Sequence, residues 1–273
     1  MSGEFRGKAI LYFTIATVIL TAVTSLGGLL YHNTYSRETA LWIAQAASQD
    51  IVNLALIVPV LLVSAIVARR GIRWGLFVWL GAMLYTAYTF VIYSFGLHFN
   101  SLFLVYCWTL GVSAYSFITL TVQITPGVVK GWFDESRHEY FMSLLVLAAG
   151  VLFYLMWLKD DLPAMISNQM PAGLRGTGLP TNPVHVLDYS FILPGFIITS
   201  VLLLKKKALG YLFAPVLMTF GVLMNLTIAV IAVVMKMTGY DDNVAISMLF
   251  AAFALLGIAV LVSFLRHMKK AAA

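Results

Sequence analysis

The chain has 273 residues, of which 61% are hydrophobic and only 10% charged, with a formal net charge of +6. Soluble domains carry about a quarter charged residues, so a water-soluble enzyme, a coiled coil and a disordered chain are excluded. A single cysteine, Cys107, excludes an internal disulfide and any multi-cysteine metal or redox motif.

The composition predicts an all-α integral membrane protein with eight transmembrane helices, because each crossing of a bilayer needs roughly 20 mainly apolar residues. In chain order the apolar stretches run near Ala9 to Tyr31, Ile51 to Ala68, Trp74 to Phe95, Ser101 to Thr121, Tyr140 to Trp157, His185 to Leu204, Leu209 to Met235 and Val244 to Leu265. The first is longer than a signal-peptide core and reads as an uncleaved span.

Lysine and arginine concentrate on the cytoplasmic side of membrane proteins. Of the 17 basic residues, 13 fall on one side of this arrangement: Arg6, Lys8, Arg69, Arg70, Arg73, Lys130, Arg137, Lys205, Lys206, Lys207, Arg266, Lys269 and Lys270. Arg37, Lys159, Arg175 and Lys236 lie opposite, together with the acids Glu38, Asp50, Asp160, Asp161, Asp188, Asp241 and Asp242. The asymmetry predicts a plasma-membrane protein with both termini in the cytoplasm.

Two connectors are long. The cytoplasmic one, 122–139, places Trp132 and Phe141 around Asp134, Glu135 and Arg137, and is expected along the membrane surface. The outer one, 159–182, carries Pro163, Pro171, Gly173, Gly176, Gly178 and Pro180, and is either an ordered cover or a floppy link.

A shift of 135 residues places Pro59 on Pro194, Gly75 on Gly210, Met83 on Met218, Asn53 on Asp188, Ser64 on Thr199 and Arg70 on Lys205. The chain then divides into four-helix halves, 1–139 with the inner connector and 140–273 with the outer loop. Halves of even span number share one orientation, which predicts a pseudo-two-fold axis along the membrane normal and a site between them. The fourth and eighth spans fit only with a shift, Asn100 falling on Asn243.

Ionisable groups inside a bilayer are costly, so those near spans are candidate site residues: His185, Asp188, Asp50, Asn53, His98 and Lys236. Asn182 and Pro183 have the chemistry of an N-cap and a first helical residue, which puts His185 and Asp188 on one face. Lys236 is the expected partner of Asp188. Ser48 is the expected cap of the second span, in which case Asp50 complements a helix dipole and needs no other role.

His32, His98 and His185, with Asp50, Asp188, Asp241 and Asp242, have the donor chemistry for zinc or for proton transfer. No HExxH, HxxxH or CxxC spacing occurs, so no metal is expected and no cofactor is implied. Paired mid-span histidines and a lysine midway along the last helix are also absent. Tyr85, Tyr88, Tyr106, Ser113, Tyr115, Ser116, Thr119 and Asn225 form either interhelical hydrogen bonds or a polar pocket.

Three functional classes fit. The first is a binding or transport protein for a small solute or ion, using an outward-facing polar site between the halves. The second is a sensory or accessory subunit of a larger membrane complex, with another membrane protein or a second copy as partner. The third is an outer-face enzyme with His185 as general base and Asp188 orienting it. The lipid bilayer is the common partner, and no nucleic acid is expected.

Overall fold

The computed structural model describes residues 3–133, 137–237, 239 and 244–269. Eight of its helices are long and apolar enough to cross a membrane. They are α1 (Gly3–Leu30), α2 (Ala40–Arg69), α3 (Arg73–Gly96), α4 (Phe103–Val122), α5 (Arg137–Ile166), α6 (Pro183–Leu204), α7 (Ala208–Met237) and α8 (Val244–Arg266). Among the described residues there is no β-strand, only an isolated bridge between Phe133 and Met268. This is the architecture of a multi-pass membrane protein.

The extremes of burial differ in composition. The most enclosed span, α3, is among the least apolar, and the little-enclosed α8 is among the most apolar. A helix surrounded by protein can carry polar side chains that lipid would not accept. On α3, Trp79 is fully buried and donates its indole N–H to Thr14 Oγ1 on α1 at 2.8 Å.

The second span starts earlier than its composition predicts. Thr39 is the N-cap, its hydroxyl accepting the Trp42 N–H at 3.3 Å, and the helix begins at Ala40. Ser48 is therefore not a cap; its hydroxyl donates to the Ala44 carbonyl at 2.6 Å in mid-helix. Asp50 lies roughly 15 Å along the axis, too deep for a terminal dipole to account for it. The sixth span starts as expected, with Asn182 Oδ1 accepting the Val184 N–H at 3.0 Å and Pro183 as the first helical residue.

Both α2 and α6 are interrupted by a π-turn, at Asn53–Ile57 and Asp188–Ile192. In each turn the first residue's carbonyl accepts an N–H five residues on, from Val58 and from Leu193. Pro59 and Pro194 follow immediately, where the wider turn accommodates a ring that would clash with an ordinary i−4 carbonyl.

The α2–α3 and α6–α7 reversals also correspond. Arg70, Gly71 and Ile72 donate to the carbonyls of Ile66, Ala68 and Val67, and Lys205, Lys206 and Lys207 donate to those of Val201, Leu203 and Leu202. Gly71 and Lys206 both have positive φ, 76° and 51°. A Cβ on Gly75 would lie 2.7 Å from the Ala68 nitrogen, and one on Gly210 would lie 2.4 Å from the Leu203 nitrogen, so both turns need glycine for close helix approach. Every one of these pairs is 135 residues apart.

The core lies where α3 and α7 cross. A Cβ on Gly81 would lie 2.7 Å from the Val216 carbonyl oxygen, and one turn further the Tyr85 and Phe220 rings are 6.3 Å apart. The first part of α2 packs on α7, and the start of α6 packs on α3.

The inner connector packs against the bundle. Its short helix, Pro126–Gly131, packs on α7 and fully buries Val129. Phe133 stacks on Phe264 at 4.6 Å, and the Arg73 guanidinium sits 5.0 Å above the Trp132 ring. Asp134 and Glu135 lie outside the described residues, as does Asn243.

The 159–182 segment is an ordered cover. Helix α5 continues through Pro163 to Ile166 before a 3-10 turn at Ala172–Leu174. Positive φ at Gly176 and Gly178 folds the chain back, burying Leu174, Thr177 and Leu179, and the Thr39 hydroxyl donates to the Thr177 carbonyl at 3.4 Å.

Candidate functional site

Each interrupted span contributes one buried carboxylate toward the end opposite the termini, where the loop residue Glu38 is also buried. Asp50 is fully enclosed, accepting the Tyr93 hydroxyl at Oδ1 (2.8 Å) and the Tyr35 hydroxyl at Oδ2 (2.7 Å). Gly28 on α1 makes room for it, since a Cβ there would lie 2.0 Å from Oδ2. Tyr35 belongs to the loop between α1 and α2, and burial, reinforced by the Asp50 charge, holds its pKa well above the usual phenol value. It remains a donor throughout the physiological range.

Asn53 sits one turn deeper. Its Nδ2 donates to Ser25 Oγ at 3.1 Å and its Oδ1 accepts from Gln49 Nε2 at 2.9 Å. Gln49 Nε2 also donates to the Tyr85 hydroxyl at 3.0 Å, and Tyr85 lies 2.6 Å from Thr227 Oγ1 on α7. Because the Thr227 hydroxyl donates to the Leu223 carbonyl at 2.8 Å, Tyr85 is the donor in that pair.

Asp188 faces protein, accepting the Trp157 indole N–H at 2.8 Å and the Tyr88 hydroxyl at 3.1 Å. The nearby His185 directs Nδ1 to Asp161 Oδ2 at 2.7 Å, an acid that also accepts the Tyr189 hydroxyl at 3.1 Å. The Trp157 ring packs over the imidazole with centroids 4.3 Å apart. The His185 hydrogen bond expected to orient it toward Asp188 is therefore made with Asp161. Lys236 is exposed at the end of α7, and no ion pair joins it to Asp188 among the described residues.

His98 is engaged elsewhere. Its backbone N–H donates to Glu38 Oε1 at 2.6 Å and its Nδ1 lies 3.0 Å from Oε2, which ties the α3–α4 turn to the loop before α2. His32 is exposed. The three imidazoles do not converge, and among the described residues no group of three His, Cys, Asp or Glu side chains could hold a metal ion. Asp241 and Asp242 lie outside the described residues.

A cavity of about 650 Å³ opens beside Asp188, enclosed by α2, α3, α5, α6, α7, α8 and the 159–182 cover. Its walls are mainly apolar and aromatic, with Phe153, Phe196, Phe220 and Phe250 among them. Polar groups enter from Gln49, Asp160, His185, Asp188, Asn225 and Thr227. A second cavity of about 590 Å³ lies under the cover on the far side of His185 and shares His185, Asn182 and Leu174 with the first. The imidazole is thus part of the wall of both spaces. Asp160, Asp161 and Asp188 line them, and among the described residues no lysine or arginine does.

The structure thus brings His185 and Asp188 to one cavity, places Asp50 and Asn53 in a separate buried network beside it, and leaves His98 and Lys236 apart. Sequence reasoning missed Tyr35, Gln49, Trp157 and the pairing role of Asp161, because no spacing rule joins a side chain to a partner 15 to 36 residues away. No protein-family model matches the chain, and no curated protein or solved structure is significantly similar to it.

Proposed function

We propose that the protein binds a small amphipathic solute in the cavity beside Asp188 and carries it between the cavity and the outer face. The cavity supports this reading. Its size is that of pockets for drug-sized ligands, its walls are apolar, and a few placed polar groups define an orientation. The second cavity beneath the cover is the natural entry, with His185 and its Asp161 partner at the junction.

The test is to fill the cavity. A Cβ on Gly221 would meet only the Phe196 ring, at 3.4 Å, so Gly221→Leu projects a larger side chain at low cost to folding. Native mass spectrometry of gently extracted protein is expected to show a bound molecule on the order of a few hundred daltons, lost from the Gly221→Leu variant. Identical spectra from two equally folded proteins would overturn the reading.

The plasma membrane is the proposed location, with both termini cytoplasmic and the 159–182 cover outside, on the distribution of basic residues. In a Cys107→Ser background, a cysteine introduced at Ser167 is expected to react with an impermeant maleimide in intact cells. One introduced at Lys206 is expected to react only after permeabilisation. The opposite pattern would invert the arrangement.

We further propose that halves 1–139 and 140–273 arose by duplication and are related by a pseudo-two-fold axis along the membrane normal. Residues on such an axis meet their own counterparts. Gly81 meets Val216 and Tyr85 meets Phe220, both pairs at a spacing of 135, and the α2–α7 contact is reciprocated by α6 on α3.

A further inference from the structure

The deeper polar groups of the cavity present acceptors to a ligand. Asn225 Nδ2 donates to the Gly221 carbonyl at 2.7 Å, which fixes the amide orientation and leaves Oδ1 buried without a hydrogen-bond partner. Gln49 commits Nε2 to Asn53 and Tyr85, so its oxygen is the end left for a ligand. Thr227 donates to the Leu223 carbonyl, Trp157 to Asp188, Tyr93 to Asp50 and Trp42 to the Gly96 carbonyl at 2.8 Å. His185 commits Nδ1 to Asp161, so Nε2 is the ring atom left for a ligand. The donors that remain are the amides of Gln45 and Asn182 at the covered end, the second N–H of Asn225 and the Thr89 hydroxyl.

The charge balance runs the same way. Asp160 and Asp188 line this cavity and Asp161 the adjoining one; among the described lining residues the one basic group is the His185 imidazole, which is engaged by Asp161, and no lysine or arginine joins it. Such a wall repels anions and attracts cations, most strongly at the buried Asp188, and the aromatic faces around it also favour positive charge.

We propose that the solute is a lipophilic amine that binds as its ammonium ion, with Asp188 as counter-charge and the amide oxygens of Asn225 and Gln49 as acceptors. This rests on the cavity being a binding site, and names the class of molecule it takes.

Three compounds with one rigid apolar body separate the possibilities: 1-adamantylamine, 1-adamantanol and 1-adamantanecarboxylate. Each is titrated into the purified full-length protein in lipid nanodiscs by calorimetry. The amine is expected to bind roughly tenfold or more tighter than the alcohol, with the carboxylate weakest. Asp188→Asn, which keeps the shape and removes the charge, is expected to collapse the amine's advantage. If that variant does not fold, Asp160→Asn is expected to narrow the same ratio.

Tighter binding of the alcohol or carboxylate than of the amine would overturn the amine assignment and leave the cavity as a binding site. An amine preference untouched in both variants would also overturn it, since the charge would then come from elsewhere. If none of the three binds, the cavity reading falls too.

Discussion

Gly81→Val will leave little folded protein. The α3 backbone lies so close to α7 that a single added carbon would sit 2.5 Å from Thr219 Cβ and 2.7 Å from the Val216 carbonyl oxygen. Neither is the end of a flexible chain, so the helices must separate, and separation opens the most deeply packed part of the bundle. Overpacking of rigid surroundings costs about 1–3 kcal/mol and sometimes more, and a β-branched residue against backbone belongs at the upper end. Gly111→Val is the control, because nothing lies within 4 Å of a Cβ there. The monodisperse fraction after detergent extraction, and its melting temperature, are the measurements. Equal behaviour of the two variants would mean that α3 and α7 do not meet at Gly81.

Asp50→Leu has the next largest expected effect. It removes the carboxylate to which the buried Tyr35 and Tyr93 hydroxyls donate, leaving Tyr93 only a long bond to the Ala46 carbonyl at 3.4 Å. A buried donor left unsatisfied costs about 1–3 kcal/mol; Tyr35 becomes one and Tyr93 is weakened, so a loss of about 1–3 kcal/mol or somewhat more is expected. Asp50→Asn should be milder, since the amide can accept from one hydroxyl and donate to the other. Combining Asp50→Leu with Tyr35→Phe and Tyr93→Phe should restore part of the loss, because no polar group is then stranded. Melting temperatures in the order wild type, Asn, triple variant, Leu would bear this out. A Leu variant as stable as wild type would show that the carboxylate is not holding the two phenols.

The eight spans were legible because lipid imposes a length and an apolar composition that no other environment asks for. The start of α2 was not. Gln45, Ser48, Gln49 and Asp50 make that segment look like a polar approach to a membrane helix, whereas all four face protein or the cavity and none costs what exposure to lipid would. The candidate acids were legible for the same energetic reason, as groups that need an explanation inside a span. Their partners were not, since Tyr35, Trp157 and Asp161 come from other elements and are brought close only by packing. Lys236 was matched to Asp188 on topology alone, and the indole N–H of Trp157 and the hydroxyl of Tyr88 supply that acid's hydrogen bonds.

The π-turns set the direction in which both carboxylates point. Each holds one residue more than an α-helical turn, and one residue corresponds to about 100° of rotation about the helix axis. Removing a residue from Asn53–Ile57 would join Ala40–Val52 to Val58–Arg69 as uninterrupted α-helix, but with the first segment turned by that angle. Asp50 would then be carried away from Gly28, and the corresponding deletion in Asp188–Ile192 would carry His185 off its contact with Asp161. Side-chain identity supplies the acids and the imidazole, but the phase of each helix, stored as a count of residues, decides what they face.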